Sequence, residues 1–127
     1  MRDRKQELIR GMIGLATLLA LLALGMVAEG HAILKSSSPS ANSTVKGPDV
    51  PIILTFNVRI DAGRSKVQLL HPDNTQTDLV LEKQASPDTL TSKGTGLVPG
   101  NYKIRWQVLA PDGHITRGEV PFTVKVD

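Results

Sequence analysis

The sequence contains no cysteine, and its three methionines are Met1, Met12 and Met26. Disulfide bonds and thiolate metal sites are therefore excluded throughout the chain. No thioether follows residue 26, so the rest of the chain lacks the soft sulfur ligands that hold Cu(I). A domain built from it depends on core packing alone, and any metal site in it must use nitrogen and oxygen ligands.

Aromatic residues and clustered charges are also scarce. The chain has one Trp, one Tyr and two Phe, and its basic residues beyond the first segment are scattered singly. Binding to nucleic acid calls for a clustered basic stripe with aromatic stacking partners. The sequence therefore argues against a nucleic-acid partner.

The first 30 residues have the three-part layout of a secretory signal peptide. Four basic residues in Met1–Arg10 precede the 17-residue apolar run Gly11–Val27, and the small residues Ala28 and Gly30 follow where signal peptidase requires them. The run is short for a transmembrane helix, which usually needs about 20 residues. We predict cleavage after Gly30 and export to the periplasm or the cell exterior, with an uncleaved membrane anchor as the alternative.

Cleavage leaves residues 31–127 as one domain of 97 residues, which is large enough for a single core. Its eleven Lys and Arg residues against nine Asp and Glu give a net charge near +2. We expect this domain to be a monomer.

Short alternating strands between turn clusters predict an all-β domain, since no stretch keeps a 3.6-residue apolar period. Such spacing indicates two sheets packed face to face, as in immunoglobulin-like sandwiches of about seven strands. The sequence Leu97–Tyr102 further predicts a tyrosine corner. Alternation places Ile52, Leu54 and Phe56 inward, as it does Tyr102, Ile104, Trp106 and Val108, and also Phe122, Val124 and Val126. The predicted strands are Ala32–Lys35, Pro51–Asn57, Ser65–Leu70, Thr77–Leu81, Asp88–Thr91, Tyr102–Leu109 and Glu119–Val126.

Three residues carry the chemistry of the predicted mature chain. His31 would be its first residue and would offer an α-amine and an imidazole to one metal ion. Asp112 and His114 stand two apart across Gly113, so an extended backbone would point both side chains the same way. Amine, imidazole and carboxylate donors suit Cu(II) best, followed by Ni(II) and Zn(II). Asp-Gly is also an ordinary hairpin turn, which leaves a plain turn as the local alternative.

The sequence resembles the CopC family of exported copper-resistance proteins over essentially the whole predicted mature domain. The opening His31–Leu34 is similar to the family's His-Ala-x-Leu, which a Ser-x-Pro turn follows, and Ile53–Asn57 resembles its second strand. The most specific match is a Tyr-x-Ile-x-Trp strand that leads into Asp-Gly-His, a glycine and a final Phe-x-Val strand. These residues are Tyr102, Ile104, Trp106, Asp112, Gly113, His114, Gly118, Phe122 and Val124.

The resemblance implies a Greek-key β-sandwich that binds one Cu(II) per chain through His31, Asp112 and His114. It implies copper carriage or sequestration rather than catalysis, in some members beside a CopD-type membrane permease. Some members also hold Cu(I) in a methionine-rich loop, but a domain without methionine cannot share that site, so we expect a single copper site.

Two other functions stay open on the sequence. One is a small oxidative copper enzyme, because an N-terminal histidine paired with a second histidine also serves polysaccharide monooxygenases; the short loops and the Asp112 carboxylate argue against it. The other is a metal-free adhesion or carbohydrate-binding sandwich. Such modules expose aromatic residues for stacking, whereas alternation places the aromatic residues of this chain inward, which argues against that function. The third histidine, His71, lies in the turn sequence His-Pro-Asp-Asn and is expected to be an exposed loop residue.

Overall fold

Alternating apolar residues form eight strands in the computed structural model, which describes residues 31–126. The predicted signal peptide, residues 1–30, lies outside the described residues. Within the described part, no helix is long and apolar enough to cross a membrane. The strands are β1 (Leu34–Ser38), β2 (Ser43–Lys46), β3 (Val50–Phe56), β4 (Lys66–Leu70), β5 (Gln76–Asp78), β6 (Thr89–Gly94), β7 (Gly100–Leu109) and β8 (Ile115–Lys125), with a 3-10 turn at Ala62–Arg64 before β4.

The strands make two sheets, as the spacing predicts. One sheet has three strands in the order β1-β3-β6, and the other has five in the order β2-β8-β7-β4-β5. All pairs are antiparallel except β2 and β8, which run parallel. The chain passes between the sheets on leaving β1, β2, β3, β5 and β6, so sequence neighbours face each other across the core.

The core lies between the two sheets and confirms most of the predicted inward faces. β3 alternates buried and exposed residues along most of its length, and β7 buries every second residue from Tyr102. All four aromatic side chains are buried, and Phe56 meets Trp106 edge to face with ring centroids 5.1 Å apart. The prediction for Val126 is wrong: β8 ends at Lys125, and Val126 is 59% exposed.

Each of the seven predicted strands has a counterpart, but the sequence reading misses β2. This strand has only four residues and bonds to β8 alone, so its half-buried alternation carries little apolar signal. The predicted tyrosine corner is present. The Tyr102 hydroxyl donates to the carbonyl of Val98 at 2.7 Å, which ties the entry of β7 to the turn before it.

Candidate metal centre

A tight turn between β7 and β8 carries Asp112 and His114. The Gly113 N–H donates to the Ala110 carbonyl at 3.0 Å, and the Ala110 N–H donates to the His114 carbonyl at 3.1 Å. Gly113 has φ +83°, a left-handed conformation. Glycine adopts it without steric strain, whereas a residue with a β-carbon does not. Of the two backbone conformations that the sequence left open, the turn is the one present, so a turn and not strand alternation brings the two side chains together.

The Asp112 carboxylate holds this turn in shape. Its Oδ1 accepts the His114 backbone N–H at 2.9 Å, and its Oδ2 lies 2.9 Å from His114 Nδ1. The imidazole is thereby oriented by the carboxylate two residues before it. The pair is set by local backbone geometry and does not depend on a distant contact.

The segment that carries His31 is attached to the other sheet. Ala32 is 2% exposed and fills a place in the core. The Ile33 N–H donates to the Asn57 side-chain oxygen at 2.7 Å, and the Asn57 backbone N–H donates to the Ile33 carbonyl at 3.0 Å. Asn57 directly follows β3, whose Phe56 pairs with Leu34 of β1. Sequence reasoning missed this positioning role, because only the register of β1 on β3 reveals it.

The three predicted ligands converge at one end of the sandwich. One donor atom from each of His31, Asp112 and His114 can be chosen so that all three lie within 4.8 Å of one another. Asp112 Oδ2 lies 3.5 Å from His31 Nδ1, and the two imidazole centroids are 4.9 Å apart. A carboxylate oxygen thus sits between two imidazoles, one from each sheet of the sandwich.

The charge state of the carboxylate suits a cation. The side-chain hydrogen bond from His114, together with the one from its backbone N–H, lowers the pKa of Asp112 against the opposing effect of desolvation. Asp112 is therefore ionised at neutral pH. The side chains of His31 and His114 are 58% and 66% exposed, and that of Asp112 is 21% exposed, so the centre is open to solvent.

The donor atoms fit a borderline divalent ion. Two imidazole nitrogens and one carboxylate oxygen match the ligands of Cu(II), Ni(II) and Zn(II), and the Irving–Williams order favours Cu(II) among them. An α-amine at His31 would add a fourth donor. Sulfur ligation is excluded here because the described residues contain neither cysteine nor methionine.

His71 lies away from this centre. It occupies the predicted turn between β4 and β5, where the Asn74 N–H donates to its carbonyl at 2.9 Å. It is a loop residue, as expected, but it is only partly exposed, and its ring packs against Tyr102 at a centroid distance of 5.5 Å. Its Nε2 lies 2.7 Å from Thr77 Oγ1, so the ring has a structural partner.

Both the sequence and the fold have relatives among known proteins. A family model for the CopC domain matches residues 34–125. The chain belongs to the CopC family. Protein YobA of Escherichia coli strain K12 is 30% identical over 113 residues, which cover 84% of this chain and 91% of that protein.

Solved CopC-family structures show the same sandwich. CopC from Methylosinus trichosporium OB3b superposes with a TM-score of 0.70 at 30% identity, covering 76% of this chain and 95% of that one. PcoC, a methionine-rich copper resistance protein from Escherichia coli, superposes with a TM-score of 0.63 at 28% identity, covering 75% and 99%. The function of this CopC-family chain is therefore related to copper. Unlike PcoC, it has no methionine after residue 26.

Proposed function

We propose that this protein is an exported carrier or sink for Cu(II) that binds one ion through His31, Asp112 and His114. The observation that carries the proposal is the convergence of three nitrogen and oxygen donors within 4.8 Å at an open end of the sandwich. Membership of the CopC family supports copper over nickel and zinc as the ion.

Cleavage after Gly30 would complete the site. It would free the α-amine of His31, which could then bind the same ion as the His31 imidazole and close a chelate ring. The amine would raise the donor count to four, as the tetragonal geometry of Cu(II) favours. Any residue left in front of His31 would replace the amine with an amide and weaken the site.

The open position of the centre favours exchange of copper over chemistry upon it. Two half-exposed imidazoles can be reached by incoming ligands, whereas the Asp112 carboxylate occupies a position that an oxidative enzyme would keep free for oxygen or substrate. We therefore infer a transport, storage or protective role in the periplasm or an equivalent exported compartment. A CopD-type membrane permease is the partner we propose for delivery.

Native mass spectrometry of the protein exported by its host, with and without one equivalent of Cu(II), tests the proposal. We expect a chain that begins at His31 and gains one copper ion. A chain that keeps residues ahead of His31, or a cleaved chain that takes up no copper, would refute the proposed site. Either result would favour the alternative function, a metal-free adhesion or carbohydrate-binding sandwich.

Single substitutions then assign the ligands. His31→Ala, Asp112→Ala and His114→Ala should each abolish the one-to-one copper adduct or weaken it strongly. His71→Ala is the matched control, because it also removes an imidazole but lies in another turn, and its copper uptake should equal that of the unmodified protein. A copper-dependent, peroxide-driven cleavage of polysaccharide by the loaded protein would instead favour the enzyme alternative.

A further inference from the structure

The outer face of the five-stranded sheet carries a groove of about 440 Å³ that the copper site does not use. It crosses β4, β7 and β8, and the cross-strand pair Trp106 and Gly118 also lines it. Side chains that point away from the core line its walls. They are Lys66, Gln68, Arg105, Gln107, Arg117 and Glu119.

Strand register arranges these side chains in two rows. In the row nearer the metal centre, Gln107 of β7 pairs with Lys66 on one side and Arg117 on the other. In the next row, Arg105 pairs with Gln68 and Glu119 in the same way. The first row therefore sets two cations on either side of an amide, and the second row contains the groove's one carboxylate.

The carboxylate of the groove is already neutralised. Glu119 Oε1 accepts a hydrogen bond from Arg105 Nε at 2.9 Å, and its Oε2 lies 3.7 Å from Lys103 Nζ. Among residues 31–126, no carboxylate lies within ion-pair distance of Lys66 or Arg117. Arg117 Nε donates instead to the neutral Gln107 side chain at 2.9 Å. A second carboxylate, Asp78 of β5, lies beside the groove and accepts a hydrogen bond from Gln68 Nε2 at 2.7 Å. The surplus of positive charge is therefore at Lys66 and Arg117, which have no acidic partner among the described residues.

This charge lies close to the metal centre but does not serve it. Arg117 is three residues after His114, and from Ile115, the first residue of β8, to Arg117 is about 7 Å of strand. Positive charge at that distance repels an incoming Cu(II) ion, so attraction of the metal does not explain it. A negatively charged molecule that covers the groove would also reach the open edge where the ion is held.

We propose that this groove docks an acidic segment of the protein that exchanges copper with this chain. The inference rests on the proposed function, since it takes the partner to be a copper-exchange protein. Carboxylates on the segment would pair with Lys66 and Arg117. The side-chain oxygen of Gln68 could accept a hydrogen bond from the segment, and the side-chain NH2 of Gln107 could donate one, because Gln68 Nε2 already donates to Asp78 and Gln107 Oε1 already accepts from Arg117. Docking there would place neighbouring residues of the partner beside His31 and His114.

A labelled oligoglutamate peptide probes the groove by fluorescence anisotropy at low ionic strength, with oligolysine as the control peptide. We expect the double variant Lys66→Gln/Arg117→Gln to bind oligoglutamate roughly threefold to tenfold more weakly than the unmodified protein. The matched control is Lys83→Gln/Lys93→Gln, which removes the same charge from exposed positions in β6 and the loop before it. It should lose less than about twofold.

Nuclear magnetic resonance locates the residues that the peptide contacts. Oligoglutamate should shift the side-chain amide signals of Gln68 and Gln107 and the backbone signals of the first residues of β8. Three results would each overturn the assignment of the groove. They are equal losses of oligoglutamate affinity in the two double variants, chemical-shift changes spread over both sheets, and no oligoglutamate binding at low ionic strength.

Cu(II) titrations of the same proteins separate this inference from the proposed function. Copper uptake by Lys66→Gln/Arg117→Gln that equals or exceeds that of the unmodified protein, together with its loss of peptide binding, supports a docking surface distinct from the metal ligands. Normal copper uptake without peptide binding by the unmodified protein overturns only the docking surface. No copper uptake by the unmodified protein overturns the proposed function and, with it, the identity of the partner.

Discussion

Replacement of Asn57 by alanine should weaken Cu(II) binding although Asn57 is not a proposed ligand. Its side-chain oxygen accepts the Ile33 N–H at 2.7 Å, and Ile33 is two residues from His31. The Asn57 backbone N–H still donates to the Ile33 carbonyl at 3.0 Å in the variant, so one of two hydrogen bonds is removed. The segment that positions His31 would then fray more often in the metal-free protein.

The change in copper-binding free energy has two sources. One is the lost hydrogen bond, and the other is the conformational entropy that copper binding must remove from the frayed segment. A hydrogen bond of this kind contributes about 1 kcal/mol net. Fixing the backbone of a frayed residue costs about 1–2 kcal/mol, and the burial of Ala32 at 2% exposure offsets part of that cost. We expect a loss of about 1–2 kcal/mol in binding free energy, or roughly fivefold to thirtyfold in affinity.

Competition of the protein with a chelator of known copper affinity measures the change. Asn101→Ala is the matched control: it also deletes a carboxamide that accepts a hydrogen bond, from Thr123 Oγ1 at 3.0 Å, but it lies at the opposite end of β7. That variant should keep its affinity within about twofold. If Asn57→Ala binds copper as tightly as Asn101→Ala, then β1 pairing and Ala32 burial suffice to position His31. That result would refute a positioning role for the Asn57 side chain.

Further predictions concern packing and pH. Gly118→Ala should lower the free energy of unfolding by about 1–3 kcal/mol, because its β-carbon would lie 2.3 Å from Trp106 Cζ2; urea denaturation followed by tryptophan emission measures this. Gly63→Ala is the control, since its β-carbon would meet its nearest atom at 3.5 Å, and equal midpoints would contradict the prediction. Cu(II) affinity should fall as the pH is lowered, because protons compete with the metal for imidazole nitrogens; a chelator titration at several pH values that gave a constant affinity would refute imidazole ligation. Hydrogen bonds from the Ser86 hydroxyl and from a neighbouring threonine lower the pKa of Asp88, so the stability it contributes is present above about pH 4 and is lost as the pH falls through its lowered value. Asp88→Asn should therefore lose less stability than the unmodified protein as the pH falls below about 4, and equal losses of stability in the two proteins would contradict the prediction.

The fold could be predicted from the sequence wherever alternation was long and apolar. β3 and β7 each present a continuous apolar face, so their inward residues were identified correctly. β2 was missed because its four residues are stabilised by pairing with β8, a contact between segments almost 80 residues apart that no local pattern records. The end of β8 was set one residue too late at Val126 for the same reason, since pairing and not hydrophobicity ends the strand.

The candidate site shows the same division between local and distant causes. The residue types and the resemblance to the CopC family identified His31, Asp112 and His114, and the structure brings these three together. The sequence left both an extended backbone and a turn open for Asp112 and His114, because alternation alone does not record the positive φ that Gly113 adopts. Asn57 escaped notice because it was predicted as the last residue of a strand, and its bond to Ile33 depends on how β1 lies against β3.

The position of the centre between the two sheets links copper binding to the stability of the sandwich. His31 is held through Asn57 to the sheet of β1 and β3, whereas Asp112 and His114 belong to the turn that joins β7 and β8 of the other sheet. An ion bound to all three therefore joins the sheets at one end, and the unfolded chain cannot offer the same geometry. Binding to the native state alone should stabilise it by about 2.7 kcal/mol at free copper one hundred times the dissociation constant. For a domain of this size that corresponds to a rise in melting temperature of roughly 10–20 °C. Release of copper to a partner would remove this added stability, because the ion would no longer join the two sheets.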